Sequence, residues 1–481
     1  MAEKKWYDNA VMVNRDPNWM YRANGTSKEI CTSVFESFFS KYEGNATDIL
    51  LGVLEQTTTM PSEHLMWRGL KAIQTIENGH EVSYPDHEGM YKAYTEYGVD
   101  GVQIFIDEVR KLGKRPWITL RVNDVHFPYD ETSFLHSDMF YEEVAAGHNI
   151  GAHYGYYGNA FDFRKSVRYR EALLGFIGEI LNKYDMFGIE MDFMREIYCF
   201  DYLGEPDGIQ EVILDFMREV KRMAKEAEKR IGHDLKISIR TCRDPEDAYT
   251  FGFDIKKMAD EGLIDIVVPS PRWSPTDSGI PIRKWKALLG DSVGIIGGIE
   301  SHNFKQTYNT WENTKAYAAA FYEQGADGIY FNNHENFNDR NRLSWTVNRD
   351  NCYEGRRYFV VTEQDCAAYK SKAYKPLPFK IISNYQLPLE IGKVGKTDKV
   401  KLIIDYEGEK LPRAAIGNVR AEGKVVEDLV LPLQNKEQWL NATEHTPVEY
   451  DLSGFETNGP IVLRFIGSGM VHYVRLAIDA E

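Results

Sequence analysis

The sequence predicts an α/β fold: a (β/α)8 TIM-type barrel over residues 1–371, then a small C-terminal all-β sandwich domain over 372–481. Three observations predict it. Eight short apolar segments, each closing in polar residues, alternate with helix-like stretches between residues 10 and 334. No GxGxxG or GxxxxGK(S/T) follows the first strand, so the competing doubly wound sheet lacks its usual nucleotide signature. Beyond residue 372 the helices give way to short strand-like runs separated by turn residues.

The strands read in order as "AVMVNRD" (10–16), "DILLGVLEQ" (48–56), "RPWITLRVND" (115–124) and "FGIEMDF" (187–193), then "LKISIRTC" (235–242), "IDIVVPSPRW" (264–273), "SVGIIGGIE" (292–300) and "DGIYFNNH" (327–334). Between them, residues 26–44 open with a Thr26-x-x-Glu29 capping box and close on Gly44. Residues 166–184 and 208–232 carry apolar positions at helical spacing, and 310–325 ends in Gly325. The long connections after strands 2 and 3 are rich in aromatics, Gly and His, which suits binding loops. In the C-terminal part, "FKIISNYQLPLEIG", "DKVKLIIDYEG", "RAAIGNVRAEG", "TPVEYDLSGF", "GPIVLRFIG" and "MVHYVRLAID" read as separate strands.

At 481 residues the chain exceeds one small core, which agrees with two domains. A formal charge of −16 argues against a nucleic-acid partner. "MAEKKWYDNAVMV" shows no apolar signal region, and no run is long enough to span a membrane. Cys31, Cys199, Cys242, Cys352 and Cys366 are odd in number and scattered, matching neither a disulfide framework nor a metal motif. These features lead us to expect a cytoplasmic protein with no membrane partner.

Strand ends in such a barrel build the active site. Here they form a polar ring: Asn14 and Asp16; Glu55; Arg121, Asn123, Asp124 and His126; Glu190, Asp192 and Arg195; Arg240; Arg272; Glu300 and His302; Asn332, Asn333 and His334. Strand alternation puts Glu190 and Asp192 on one face, and Arg121 and Asn123 on one face. The bland alternative is an arginine–carboxylate network that fills the barrel top. No HxH or HExxH spacing supports a metal, no Gly-rich phosphate loop follows strand 7 or 8, and no cofactor is expected. Trp19, Trp67, Tyr154, Tyr156, Tyr157 and Trp273 can stack on sugar rings, although each alone is more often core packing. Paired carboxylates, aromatic platforms and Asn donors fit glycoside hydrolysis best, with a carbohydrate as partner.

"VNRD", "RVNDVH", "FGIEMDFMR", "GFDIKKMADEGLIDIVVPSP" and "GADGIYFNN" resemble a glycoside-hydrolase-like barrel group with an appended β-sandwich. Within that group the chain is most similar to the family 156 exo-sialidases in length and layout, and in the acid ending its first strand. The resemblance implies an inverting exo-glycosidase that releases a terminal sialic acid. It carries the catalytic roles to Asp16 and to His136 in "SFLHSDMF", with His126, His148 and His153 in the same loop as rivals for the histidine. Arg121, Arg195, Arg240 and Arg272 supply guanidiniums suited to a sugar carboxylate, though Arg195 could instead pair with Glu190 or Asp192. Two alternatives stand beside this reading. One is a retaining enzyme on a neutral sugar, using Glu190 or Asp192 with Glu300; the other is a catalytically inactive carbohydrate-binding barrel. The sandwich has two open roles, glycan binding or capping the barrel in support of a homodimer, and its sequence does not separate them.

Overall fold

Alternation along each strand builds the barrel. The strands are β1 (Ala10–Arg15), β2 (Asp48–Leu54), β3 (Arg115–Arg121), β4 (Gly188–Asp192), β5 (Lys236–Cys242), β6 (Ile266–Ser270), β7 (Gly294–Glu300) and β8 (Gly328–Asn332). They pair in sequence order, all parallel, and β8 returns to β1 to close the barrel. One set of alternating residues, including Val11, Val13, Ile118, Leu120, Ile189 and Met191, joins the large outer core with the helices. The other set, with Ala10, Met12, Leu50, Trp117, Ile266, Val268, Ile296 and Tyr330, packs with Tyr7 as a separate cluster inside the barrel. Near its lower end the indole Nε1 of Trp117 donates to Asp48 Oδ1 (2.7 Å), and Arg115 pairs with the other oxygen of that carboxylate.

The computed structural model describes residues 5–15, 27–29, 33, 45–71, 86–125, 133, 135–201, 207–271, 278–300, 310–332, 346–361, 377, 379–407, 413–419, 425–430, 446–452, 454–457 and 459–480. Most of the helix expected over 26–44 lies outside these residues. The helices described are α1 (Asp86–Thr95) and α2 (Gly101–Lys111) after β2, α3 (Asp138–Ala145) and α4 (Val167–Lys183) after β3, and α5 (Ile209–Ile231) after β4. They continue with α6 (Pro245–Thr250), α7 (Ile255–Asp260), α8 (Ile282–Leu289) and α9 (Trp311–Glu323). In α5 one face is buried through Ile209, Ile213, Leu214, Phe216, Met217, Val220, Ala224 and Ala227, the spacing of an amphipathic surface helix. Helix α9 is different, because every residue from Asn313 to Tyr322 is buried. The reason is position: it packs on β7 and β8 of the barrel and also on β9 (Arg356–Val361) of the second sheet. Among the described residues no helix is long and apolar enough to cross a membrane.

The second sheet is antiparallel and has seven strands: β9, β10 (Phe379–Leu389), β11 (Lys399–Glu407), β12 (Arg413–Val419), β13 (Val425–Val430), β14 (Thr446–Asp451) and β15 (Ile461–Asp479). Strand β9 lies ahead of residue 372 and pairs with Val474–Asp479 of β15, so the sheet draws on residues before the boundary read from the sequence. The two segments read as separate strands around residue 467 are one 19-residue strand. Gly467 and Gly469 there look like a turn in the sequence. Their φ values of 145° and 140° instead let the strand continue while it changes partners, from β10 and β12 to β9 and β11.

Candidate active site

Strand register sets the layers of the barrel interior. Thr119, Glu190 and Ser238 are neighbours across β3, β4 and β5, and one layer nearer the mouth Arg121, Asp192 and Arg240 are neighbours in the same way. Glu190 is fully buried, and both its oxygens are engaged. Oε1 accepts from Thr119 Oγ1 (2.8 Å) and from the Tyr330 hydroxyl (2.7 Å), and Oε2 accepts from Ser238 Oγ (3.0 Å). The Tyr330 oxygen in turn accepts from Asn14 Nδ2 (2.6 Å). Burial, reinforced by the nearby Asp192 charge, raises the Glu190 carboxyl to about 7. Burial likewise pushes the Tyr330 phenol far above its ordinary value.

Above this layer, one guanidinium holds two carboxylates. Arg240 Nη1 donates to both oxygens of Asp192 (3.1 and 3.0 Å), Nη2 to Glu300 Oε1 (2.5 Å), and Nε to Ser270 Oγ (3.1 Å). Asn332 Nδ2 donates to the same Glu300 oxygen (2.8 Å), and the Met194 backbone N–H donates to Asp192 Oδ1 (2.8 Å). Burial opposes the charge on Arg240, yet Asp192 and Glu300 more than offset it and raise the guanidinium above its usual range. Burial also raises the Glu300 carboxyl, with Arg240 opposing. The glycine pair of β7 makes room on both sides. A Cβ at Gly298 would lie 2.0 Å from Ser270 Oγ, and one at Gly297 would lie 2.4 Å from the Phe321 ring of α9.

A second ionic group sits at the rim. Glu55 accepts from Arg121 Nη1 at one oxygen and from Arg68 Nη2 (2.6 Å) at the other. Asp124 lies 3.5 Å from Arg195 Nε and 3.9 Å from Arg121 Nη1. Arg195 also acts on the Glu300 carboxyl electrostatically, so the rim group and the Arg240 cluster are neighbours.

The expected residues therefore fall into distinct places. Asn14 and Glu190 share one hydrogen-bonded group through Tyr330; Asp192, Glu300 and Asn332 share a second through Arg240, whose guanidinium lies over the Tyr330 ring (5.8 Å); and Arg121, Asp124 and Arg195 occupy the rim. Asn123 is buried as a clasp between loops: its Nδ2 donates to the carbonyls of Phe161 and Tyr198, and its Oδ1 accepts from Phe161 N. His136 precedes α3, buried, with Nε2 3.6 Å from Asp138 and its ring 6.1 Å from Tyr141. Asp16, His126, Arg272, His302, Asn333 and His334 lie outside the described residues. Among the described residues no three His, Cys, Asp or Glu side chains gather as metal ligands.

Sequence reasoning missed Thr119, Ser238, Ser270, Tyr330 and Arg68. For four of these a signal existed, since Thr119, Ser238, Ser270 and Tyr330 stand two positions before Arg121, Arg240, Arg272 and Asn332, the spacing of one strand face. Arg68 comes from the loop after β2, and only the fold brings it to Glu55.

No family model matches this chain, and no curated protein does. Solved structures that align with this chain include the PgaB (BpsB) glycoside hydrolase domain of Bordetella bronchiseptica, at 10% identity and TM-score 0.43 over 67% of this chain and 93% of that one. Chitinase ChiA74 of Bacillus thuringiensis is 9% identical with TM-score 0.39 over 97% and 100% of the two chains. An isomalto-dextranase of Arthrobacter globiformis T6 is 9% identical with TM-score 0.36 over 98% and 97%. At such identities and scores the likeness carries no argument about this chain, and its function rests on the residues of the mouth.

Proposed function

We propose that this chain is a glycoside hydrolase acting on a terminal sugar at the barrel mouth, with Glu300 and Asp192 as its paired carboxyl groups. The observation that carries this reading is Arg240 holding both carboxylates at the ends of β4 and β7, with Asn332 beside them. Hydrolysis of a glycosidic bond needs one carboxyl that keeps its proton and a second that acts as an anion. Burial supplies the first at Glu300, which gives its proton to the leaving oxygen as the C–O bond breaks. Asp192 then either bonds to the anomeric carbon or takes a proton from the water that does. Glu190, one layer deeper and engaged at both oxygens, serves to position Tyr330 and Asn14 rather than to touch substrate.

The test is incubation of the purified protein with a panel of aryl glycosides, neutral ones and an α-sialoside together. Turnover should fall ~10²-fold or more in Asp192→Asn and Glu300→Gln. Glycan binding without turnover on any member would instead support an inactive carbohydrate-binding barrel.

A second reading keeps the enzyme class and changes the machinery. Here the enzyme is an exo-acting, inverting sialidase, in which Asp16 and His136 activate water and the leaving group. Its support is the resemblance noted above together with Arg121 and Arg195 at the rim, where a sugar carboxylate can exchange with Glu55 or Asp124. Water suits this substrate as nucleophile, because an attacking carboxylate is repelled by the sugar's own. Activity confined to the α-sialoside, with the inverted anomer appearing first by proton NMR and lost in Asp16→Asn, selects this reading over the first.

A further inference from the structure

Arg357 stands at the junction of barrel and second sheet, on β9, and is 2% exposed. Its one hydrogen bond among the described residues runs from Nη2 to the Lys393 carbonyl at 3.3 Å, and Nε and Nη1 have no partner. Among the described residues no carboxylate lies within ion-pair distance. Asp398 and Glu323 are the nearest acids that act on it, and each is held by another donor: Asp398 by the Gly395 N–H (2.9 Å) and Glu323 by the Tyr353 hydroxyl (2.9 Å). A guanidinium removed from water and left with open donors is costly, so buried arginines are ordinarily paired.

A second cation lies close by. Lys315 of α9 is 5% exposed, sits over the Trp311 ring and donates to the Glu354 carbonyl, its one described hydrogen bond. Arg357 disfavours its charge electrostatically. Both cations interact with the fully buried thiol of Cys352, as does Tyr322, whose buried hydroxyl has no hydrogen-bond partner among the described residues. Burial lowers the Lys315 and Arg357 values and pushes the thiol up to about 12, so Cys352 brings no negative charge to the spot. Three buried side chains with open or weakly used donors thus lie around a neutral thiol.

We propose that this junction binds a small monovalent anion of chloride size, held by Arg357 Nε and Nη1 with Lys315 beside it. The site joins the two halves of the chain, since Lys315 belongs to the barrel and Arg357 to the sheet that packs on it. Burial of both cations favours a small anion, whose desolvation costs less than that of phosphate, and the overall charge of −16 works against anions elsewhere on the surface.

The test compares thermal unfolding of the full chain in sodium chloride, bromide and gluconate at equal ionic strength. The halides should raise the midpoint by a few degrees and saturate, and Arg357→Met should lose that response. Diffraction from bromide-soaked crystals should place a bromine peak at hydrogen-bond distance from Arg357 Nε or Nη1, a readout that stands even if the variant fails to fold. Equal midpoints in the three salts, an unchanged halide response in Arg357→Met, or a water rather than bromine at Arg357 overturns the proposal.

Discussion

Glu190 is the residue on which the interior turns. Its carboxyl rises from 4.5 to about 7 on folding, chiefly through burial, so the folded chain holds this proton more tightly than the unfolded one. Its contribution to stability is therefore full below pH 4.5 and is lost as pH climbs through 7, a change of order a few kcal/mol. Glu190→Gln keeps an acceptor for Thr119 and Tyr330 and offers a donor to Ser238, but it cannot titrate. Urea unfolding between pH 4.5 and 7 should show a falling stability in the wild type and a flatter profile in this variant. Equal slopes would mean that Glu190 is ionised throughout. At this scale the strand-end acids and amides were legible in the sequence, because alternation alone puts Asp192 and Glu190 on one face. That Asp192 meets the Arg240 guanidinium while Glu190, one layer deeper, meets only hydroxyls was not, since the partners at each depth depend on the stagger of eight strands.

Among the elements, β15 carries the largest load, pairing with four strands of the second sheet. There is no room at Gly469, where φ is +140° and an added Cβ would lie 1.9 Å from the hydroxyl of buried Tyr406. Gly469→Ala should cost about 1–3 kcal/mol or more, read as a lowered thermal midpoint, through strain and overpacking together. A midpoint within error of the wild type would mean that the Tyr406 ring gives way to the methyl group at no cost. The two glycines read as a turn in the sequence because glycine at positive φ serves turns and strand bends alike. Helix α9 shows the converse: its run of Ala, Tyr and Phe reads as an ordinary barrel helix, and its burial all round follows from β9, which sequence periodicity did not bring out.

For the whole molecule, charge is the property that reaches furthest. A net −16 repels anionic ligands over about a Debye length, while the guanidiniums of the mouth attract them only at close range. If the substrate is an acidic sugar, kcat/KM should rise with ionic strength as the long-range repulsion is screened, and for a neutral aryl glycoside it should stay flat. A fall with salt for the α-sialoside would show that the local arginines, not the overall charge, govern encounter.

By itself the sequence determined the (β/α)8 winding, the all-β C-terminal part and the polar character of the strand ends. These follow from periodicity and turn chemistry, which are local. Tertiary structure alone decided that Arg240 bridges Asp192 and Glu300, that Asn123 clasps two loops, and that Arg357 is buried at the junction with no carboxylate of the described residues in ion-pair reach. Each depends on barrel stagger, loop return or packing between the two sheets, quantities set by contacts between residues tens to hundreds of positions apart, which no local pattern encodes.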